Sequence, residues 1–134
     1  MPGQHNVVID TNVLVSTLLS KTGPPAQIGN LVLNELLTVF YDVRIWEEYL
    51  DVLYRDHFKF NEVHLKVILD TIQREGFDVD PFQLETKSSD PDDQPFYEVA
   101  KLCFCPLITG NKKDYPDDPN IMTPAEFIDS MKAY

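Results

Sequence analysis

Hydrophobic positions along the chain switch between short unbroken runs and stripes at helical spacing. The run Val7-Val8-Ile9 is β-branched and closed by Asp10, as suits a strand covered on both faces. Val13, Leu14, Thr17 and Leu18 then recur at helical spacing, and Asn12 stands where it can cap that helix. Lys21-Thr22-Gly23-Pro24-Pro25 predicts a turn, with Pro24 or Pro25 opening a second helix that carries Ile28, Leu31, Val32 and Leu36 on one side. Thr38-Val39-Phe40-Tyr41 predicts a second strand, and Trp46, Tyr49, Leu50 and Leu53 a third helix over residues 43–55. A fourth helix, capped by Asn61, bears Leu65, Ile68, Leu69 and Ile72 and ends near Gly76. These two consecutive helices are expected to cover one face of a sheet.

The second half repeats the alternation. Phe77-Asp78-Val79-Asp80 predicts a short strand, followed by a polar loop through Ser88-Ser89-Asp90-Pro91. Phe96, Val99, Ala100, Leu102 and Cys103 mark a further helix, where Pro95 is tolerated because first-turn N–H groups have no intrahelical partner. Pro106-Leu107-Ile108-Thr109 is a strand candidate and Ile121-Met122 a brief edge strand. Thr123-Pro124-Ala125-Glu126 has the residue order of a capped helix start, leading into Phe127, Ile128 and Met131. Strands alternating with helices predict an α/β sandwich around a mainly parallel sheet. Neither an internal repeat nor an interdomain linker is visible, so one compact domain is expected over residues 1–134.

Composition narrows the functional classes. At 43% hydrophobic, 134 residues suffice for a genuine core. No apolar run approaches the ~18 residues of a membrane span, and Met1-Pro2-Gly3-Gln4-His5 has no secretory pattern; a cytoplasmic protein is expected. Cys103 and Cys105 are too few and too close for a disulfide framework and read as buried. The formal charge of −11, from 22 acids against 11 bases, speaks against a broad positive groove for nucleic-acid phosphates. It leaves room for a site in which carboxylates hold divalent cations that touch phosphate.

Acidic residues fall where such a site could form. Asp10 stands at the carboxyl end of the first strand, the position that binds ligands in open α/β folds. On the third helix, a wheel of about 100° per residue puts Glu48 within about 40° of Val52 at the edge of the apolar arc, whereas Asp51 points to solvent. Asp90, Asp92 and Asp93 crowd a helix start, more acids than capping requires. Asp114 or Asn111, in Thr109-Gly110-Asn111-Lys112-Lys113-Asp114, can approach Asp10 if their strands are neighbours. Carboxylates converging from these four places would repel by about 4 kcal/mol per pair at ~4 Å and an effective dielectric near 20. Protonation or bound cations would relieve that repulsion; hard oxygen ligands select Mg²⁺ or Mn²⁺, and the chemistry implied is phosphodiester hydrolysis.

Taken together, these segments resemble the PIN domain family, specifically its bacterial and archaeal toxins of toxin–antitoxin systems. The likeness rests on Val8-Ile9-Asp10-Thr11-Asn12-Val13-Leu14-Val15-Ser16, Glu47-Glu48-Tyr49-Leu50-Asp51-Val52-Leu53, Asp90-Pro91-Asp92-Asp93-Gln94-Pro95-Phe96, and Leu107-Ile108-Thr109-Gly110-Asn111-Lys112-Lys113-Asp114-Tyr115. Met122-Thr123-Pro124-Ala125-Glu126-Phe127 resembles the group's ending. The resemblance implies a three-layer α/β/α sandwich and a metal-dependent ribonuclease using Mg²⁺ or Mn²⁺ on RNA. It further implies an antitoxin protein as partner and a homodimer. Carried over by position, the acidic site falls on Asp10, Glu48 and Asp93, with Thr11, Asn12 and Thr109 as supporting groups. Close relatives often have Thr-Gly-Asp where this chain has Asn111, while a Thr-x-Asn-x-x-Asp pattern in others makes Asp114 the match. Asn111 could still offer a neutral oxygen to a metal.

Two further readings stand beside the nuclease. One is a PIN-like module that binds RNA or protein without cutting, which Asn111 and the acidic charge keep open. The other, a phosphatase with Asp10 as covalent nucleophile, fits less well because such enzymes commonly place a second acid two residues on, where this chain has Asn12.

Overall fold

The computed structural model describes residues 5–85, 87 and 90–132. The chain runs β1 (His5–Ile9), α1 (Thr11–Leu19), α2 (Pro24–Leu33), β2 (Leu37–Tyr41), α3 (Val43–Leu53), α4 (Glu62–Glu75), β3 (Phe77–Asp78), α5 (Gln94–Cys103), β4 (Leu107–Ile108), β5 (Ile121–Met122) and α6 (Pro124–Lys132), with one 3₁₀ turn at Lys112–Asp114. All strand pairings are parallel, in the order β3-β2-β1-β4-β5. Helices layer on both sides of the sheet, giving the expected three-layer α/β/α sandwich. The start Met1-Pro2-Gly3-Gln4 and the loop residues Ser88 and Ser89 lie outside the described residues.

Val7, Val8 and Ile9 are fully buried in the middle strand, which is why that run is apolar without alternation. Two helix starts follow the side chains chosen for them. Asn61 accepts from the His64 N–H at 3.1 Å, and Thr123 and Glu126 exchange reciprocal bonds of 2.9 and 3.1 Å. The first helix departs from expectation: it begins at Thr11, with Asp10 at the cap position, and Asn12 is not its cap. The carbonyl of Asp10 already accepts from the Val13 N–H at 3.0 Å, leaving the Asn12 side chain to reach across to the β4 end.

The third and fourth helices do not share a face. α3 packs on α5 and on α1, whereas α4 packs on α2, which also contacts α6. Leu36 lies beyond the end of α2, and both it and Leu50 of α3 are exposed. Cys105 is buried and Cys103 half-buried, both free, in line with an apolar rather than a chemical role. Among the described residues no helix is long and apolar enough to cross a membrane.

Candidate active site

β1 and β4 lie side by side with Ile9 opposite Ile108, so the residues that follow them meet at one sheet edge. β1 is also where the strand order reverses, since the chain leaves it toward β2 and β3 and returns on the other side as β4. Open α/β sheets form their ligand crevice at such a switch point. The backbone N–H of Asp10 donates to the Ile108 carbonyl at 2.9 Å, completing the ladder at its last rung.

Asp10 is buried, and its Oδ2 is surrounded by donors. The hydroxyls of Thr109 and Tyr115 each donate at 2.8 Å and the Asn12 amide at 3.3 Å. Asn12 in turn accepts from the Gly110 N–H at 2.9 Å, and Thr109 Oγ1 accepts from the Asn111 N–H at 3.0 Å. Thr11, Asn12 and Thr109 thus form a connected frame tying the start of α1 to the turn after β4. Burial raises the pKa of Asp10, outweighing bonds from Tyr115, Thr109 and the Thr11 and Asn12 amides that favour its charge.

Glu48 faces this frame from α3. Its Oε2 accepts a 2.6 Å bond from the Thr11 hydroxyl, while Asp51 of the same helix is exposed, as the wheel predicts, and Glu47 is exposed too. Tyr49, fully buried, donates to the Ile9 carbonyl and fixes α3 against the end of β1. Burial raises the pKa of Glu48; the Thr11 bond opposes this, the charges of Asp10 and Asp92 add to it, and that of Arg55 opposes it.

Asp93 occupies the cap position of α5 without making a side-chain cap bond. Its pKa is pushed up to about 7, first by burial and then by the charges of Asp10, Asp90, Asp114 and Glu48. The charges of Asp10, Glu48 and Asp114, from separate parts of the chain, thus all act on Asp93. Asp114 ends the 3₁₀ turn that Asn111 starts, and of these two Asp114 is the one whose charge acts on Asp93; the Asn111 side chain is exposed.

Sequence reasoning missed Tyr115 as a site residue. Burial and the negative charge of Asp10 raise its own pKa well beyond the ordinary phenol range, so it remains a donor. Its position after Asp114 was visible, but its 105-residue reach back to Asp10 was not. A second network was also unforeseen: Arg44 bonds buried Asp42 at 2.7 Å and buried Glu98 at 2.8 Å, and Glu98 accepts from the Leu84 N–H at 2.7 Å. It joins the start of α3 to α5 and to the segment leading toward Asp93.

The sequence model of the PIN domain family matches residues 6–113, most of the chain. The chain belongs to the PIN domain family. PIN domains are usually nucleases and generally use divalent metals, so membership gives a nuclease-type hydrolase acting on nucleic acid. The match takes in Asp10, Glu48, Asp93 and Asn111 and stops one residue before Asp114. No curated protein matches this chain.

The donors present fit a hard divalent cation in kind, being carboxylate oxygens under mutual repulsion. They do not yet form a chelate: among the described residues no three His, Cys, Asp or Glu side chains are gathered closely enough to hold a metal ion. Repulsion acts over longer distances than ligation, which reconciles coupled charges with separated oxygens.

Proposed function

We propose that this PIN domain is a metal-dependent endoribonuclease whose ion, Mg²⁺ or Mn²⁺, is held by Asp10, Glu48 and Asp93 with Asp114 as fourth acid. The observation that carries the reading is the convergence of charge on Asp93, whose carboxyl feels Asp10, Glu48 and Asp114 and no cation among the groups that shift it. When bound, such an ion polarises a phosphodiester and lowers the pKa of an attacking water. The chain's own groups position the carboxylates: Thr109, Tyr115 and Asn12 orient Asp10, and Thr11 orients Glu48. Asn111 is the candidate neutral ligand; its backbone N–H closes onto Thr109 and holds the turn that leads to Asp114.

The test is cleavage of single-stranded RNA by purified protein with Mn²⁺ or Mg²⁺, abolished by EDTA. Asp10→Asn and Asp93→Asn are each expected to lose ~10²-fold, about 3 kcal/mol of transition-state stabilisation, and the double variant much less than the sum. Asn111→Asp is expected to leave activity equal or lower, because Asp114 already supplies the fourth charge. A gain of cleavage by Asn111→Asp from an inactive parent would instead favour the non-cutting binding module.

We further propose that the protein acts in the cytoplasm as the toxin of a toxin–antitoxin pair, as a homodimer restrained by a protein antitoxin. What supports this is the toxin-like wording of the motifs around Asp10, Glu48 and Thr109. Co-purification of an adjacent-gene product that suppresses cleavage is the expected result, and cleavage unaffected by any such product would remove the toxin role.

A further inference from the structure

The turn between α3 and α4, residues 54–61, gathers aromatic and basic side chains in an otherwise acidic chain. Tyr54, Arg55, His57, Phe58, Lys59 and Phe60 lie within seven positions, with Asp56 among them, Asp51 paired to Arg55 at 3.0 Å and Glu62 beside them on the cavity wall. His57 is exposed and packs on Phe58 with ring centroids 4.2 Å apart, and Phe58 stacks on Phe60 at 4.8 Å with planes 12° apart. Tyr54 projects with 59% of its surface exposed. Tyr54, Arg55, Phe58, Lys59 and Phe60 border an open cavity of about 400 Å³, which Leu53, Leu65, Asp56 and Glu62 also line; His57 stands outside it on the Phe58 ring.

Such a surface has few structural reasons to exist. An aromatic stack capped by an exposed imidazole leaves π-faces in water beside the Lys59 ammonium, with the Arg55 guanidinium held only by an exposed pair to Asp51. Single strands of nucleic acid offer the complement, flat bases beside phosphates, and base–aromatic stacking tolerates any base. The turn is also continuous with the candidate active site, since Glu48 and Tyr54 lie on one helix and its C-terminal cap, within about two turns. The charge of Arg55 is felt by Glu48.

We propose that this turn is a binding platform for single-stranded RNA, in which Tyr54 and His57 stack bases of the strand and Arg55 and Lys59 take its phosphates. The platform holds the strand beside the acids rather than reacting with it. Two of the chain's 11 Lys and Arg residues, Arg55 and Lys59, stand in this turn beside its aromatic rings, which gives a chain of net charge −11 a local handle on phosphate. The proposal rests on the nuclease reading for the identity of the strand.

The experiment measures binding of a fluorescently labelled single-stranded oligoribonucleotide to the full chain in EDTA, where metal-dependent cutting is off. Tyr54→Ala and His57→Ala alter exposed side chains, and unchanged thermal melts verify that both variants fold. Each is expected to weaken binding about ten-fold, while Tyr54→Phe keeps wild-type affinity. Lys59→Ala should lower the slope of log K against log salt by about 0.7. Wild type that binds no oligoribonucleotide, or a Tyr54→Ala/His57→Ala double variant that binds like wild type, overturns the platform. Metal-dependent cleavage is assayed in parallel. Binding lost in the variants without cleavage in wild type removes the nuclease reading and keeps the platform, whereas cleavage with unaltered binding in the variants does the reverse.

Discussion

Asp10 shows how much of a site can rest on one buried carboxylate. Its Oδ2 receives bonds from side chains two, 99 and 105 positions away, so the residue that ends β1 also gathers the turn after β4. Removing the Tyr115 hydroxyl leaves the ring in the core but strips one of these donors. Tyr115→Phe is expected to raise the Asp10 pKa further and to weaken Mn²⁺ affinity by about 10- to 100-fold, read by calorimetric titration. An unaltered affinity would mean that Tyr115 serves packing alone. Asp10 and Glu48 were legible because an apolar run and a helical wheel assign each a direction. Tyr115 was not, because its role comes from the side-by-side placement of β1 and β4, which local periodicity does not encode.

At the scale of elements, the approach of α1 to α2 depends on a missing side chain. A Cβ at Gly29 would stand 2.4 Å from Thr17 Cγ2, and Thr17 is held by its hydroxyl bond of 2.8 Å to the Pro25 carbonyl. Gly29→Ala is expected to cost about 1–3 kcal/mol despite the better helix propensity of Ala, checked by the midpoint of urea unfolding. On the other side, Arg44 neutralises two buried carboxylates at once. Burial alone would raise the Glu98 pKa, but the bonds from Leu84, Arg44 and Gln94 hold it below the usual range. Arg44→Met should destabilise by about 3 kcal/mol, because both acids would be left without their cation; a shift below 1 kcal/mol would show that solvent reaches them. The sequence placed every helix, yet it put α3 and α4 on one face. Two amphipathic stripes in succession do not tell whether the chain passes the sheet edge between them, and only the pairing of α3 with α5 and of α4 with α2 decides it.

For the whole molecule, the excess of acids couples stability to pH and metal. Burial and then mutual repulsion raise the pKa of Asp93 to about 7, and burial raises those of Asp10 and Glu48. In the unfolded chain all three titrate near 4. Between about pH 4 and 7 the folded state therefore holds more protons than the unfolded one, so these groups make stability fall as pH rises. Glu98, Asp118 and Glu126, with lowered pKa values, act in the opposite sense, and their contribution is lost only as pH falls below about 4. In EDTA, thermal melts across pH 5–8 are expected to show a decline in melting temperature toward the alkaline end. A divalent ion must displace the same protons, so Mg²⁺ or Mn²⁺ should raise the melting temperature more at pH 8 than at pH 5, removing the decline. Asp93→Asn should flatten the EDTA profile and shrink the metal increment together, since one carboxyl underlies both. A metal increment independent of pH, or equal in Asp93→Asn and wild type, would place the bound ion away from this cluster.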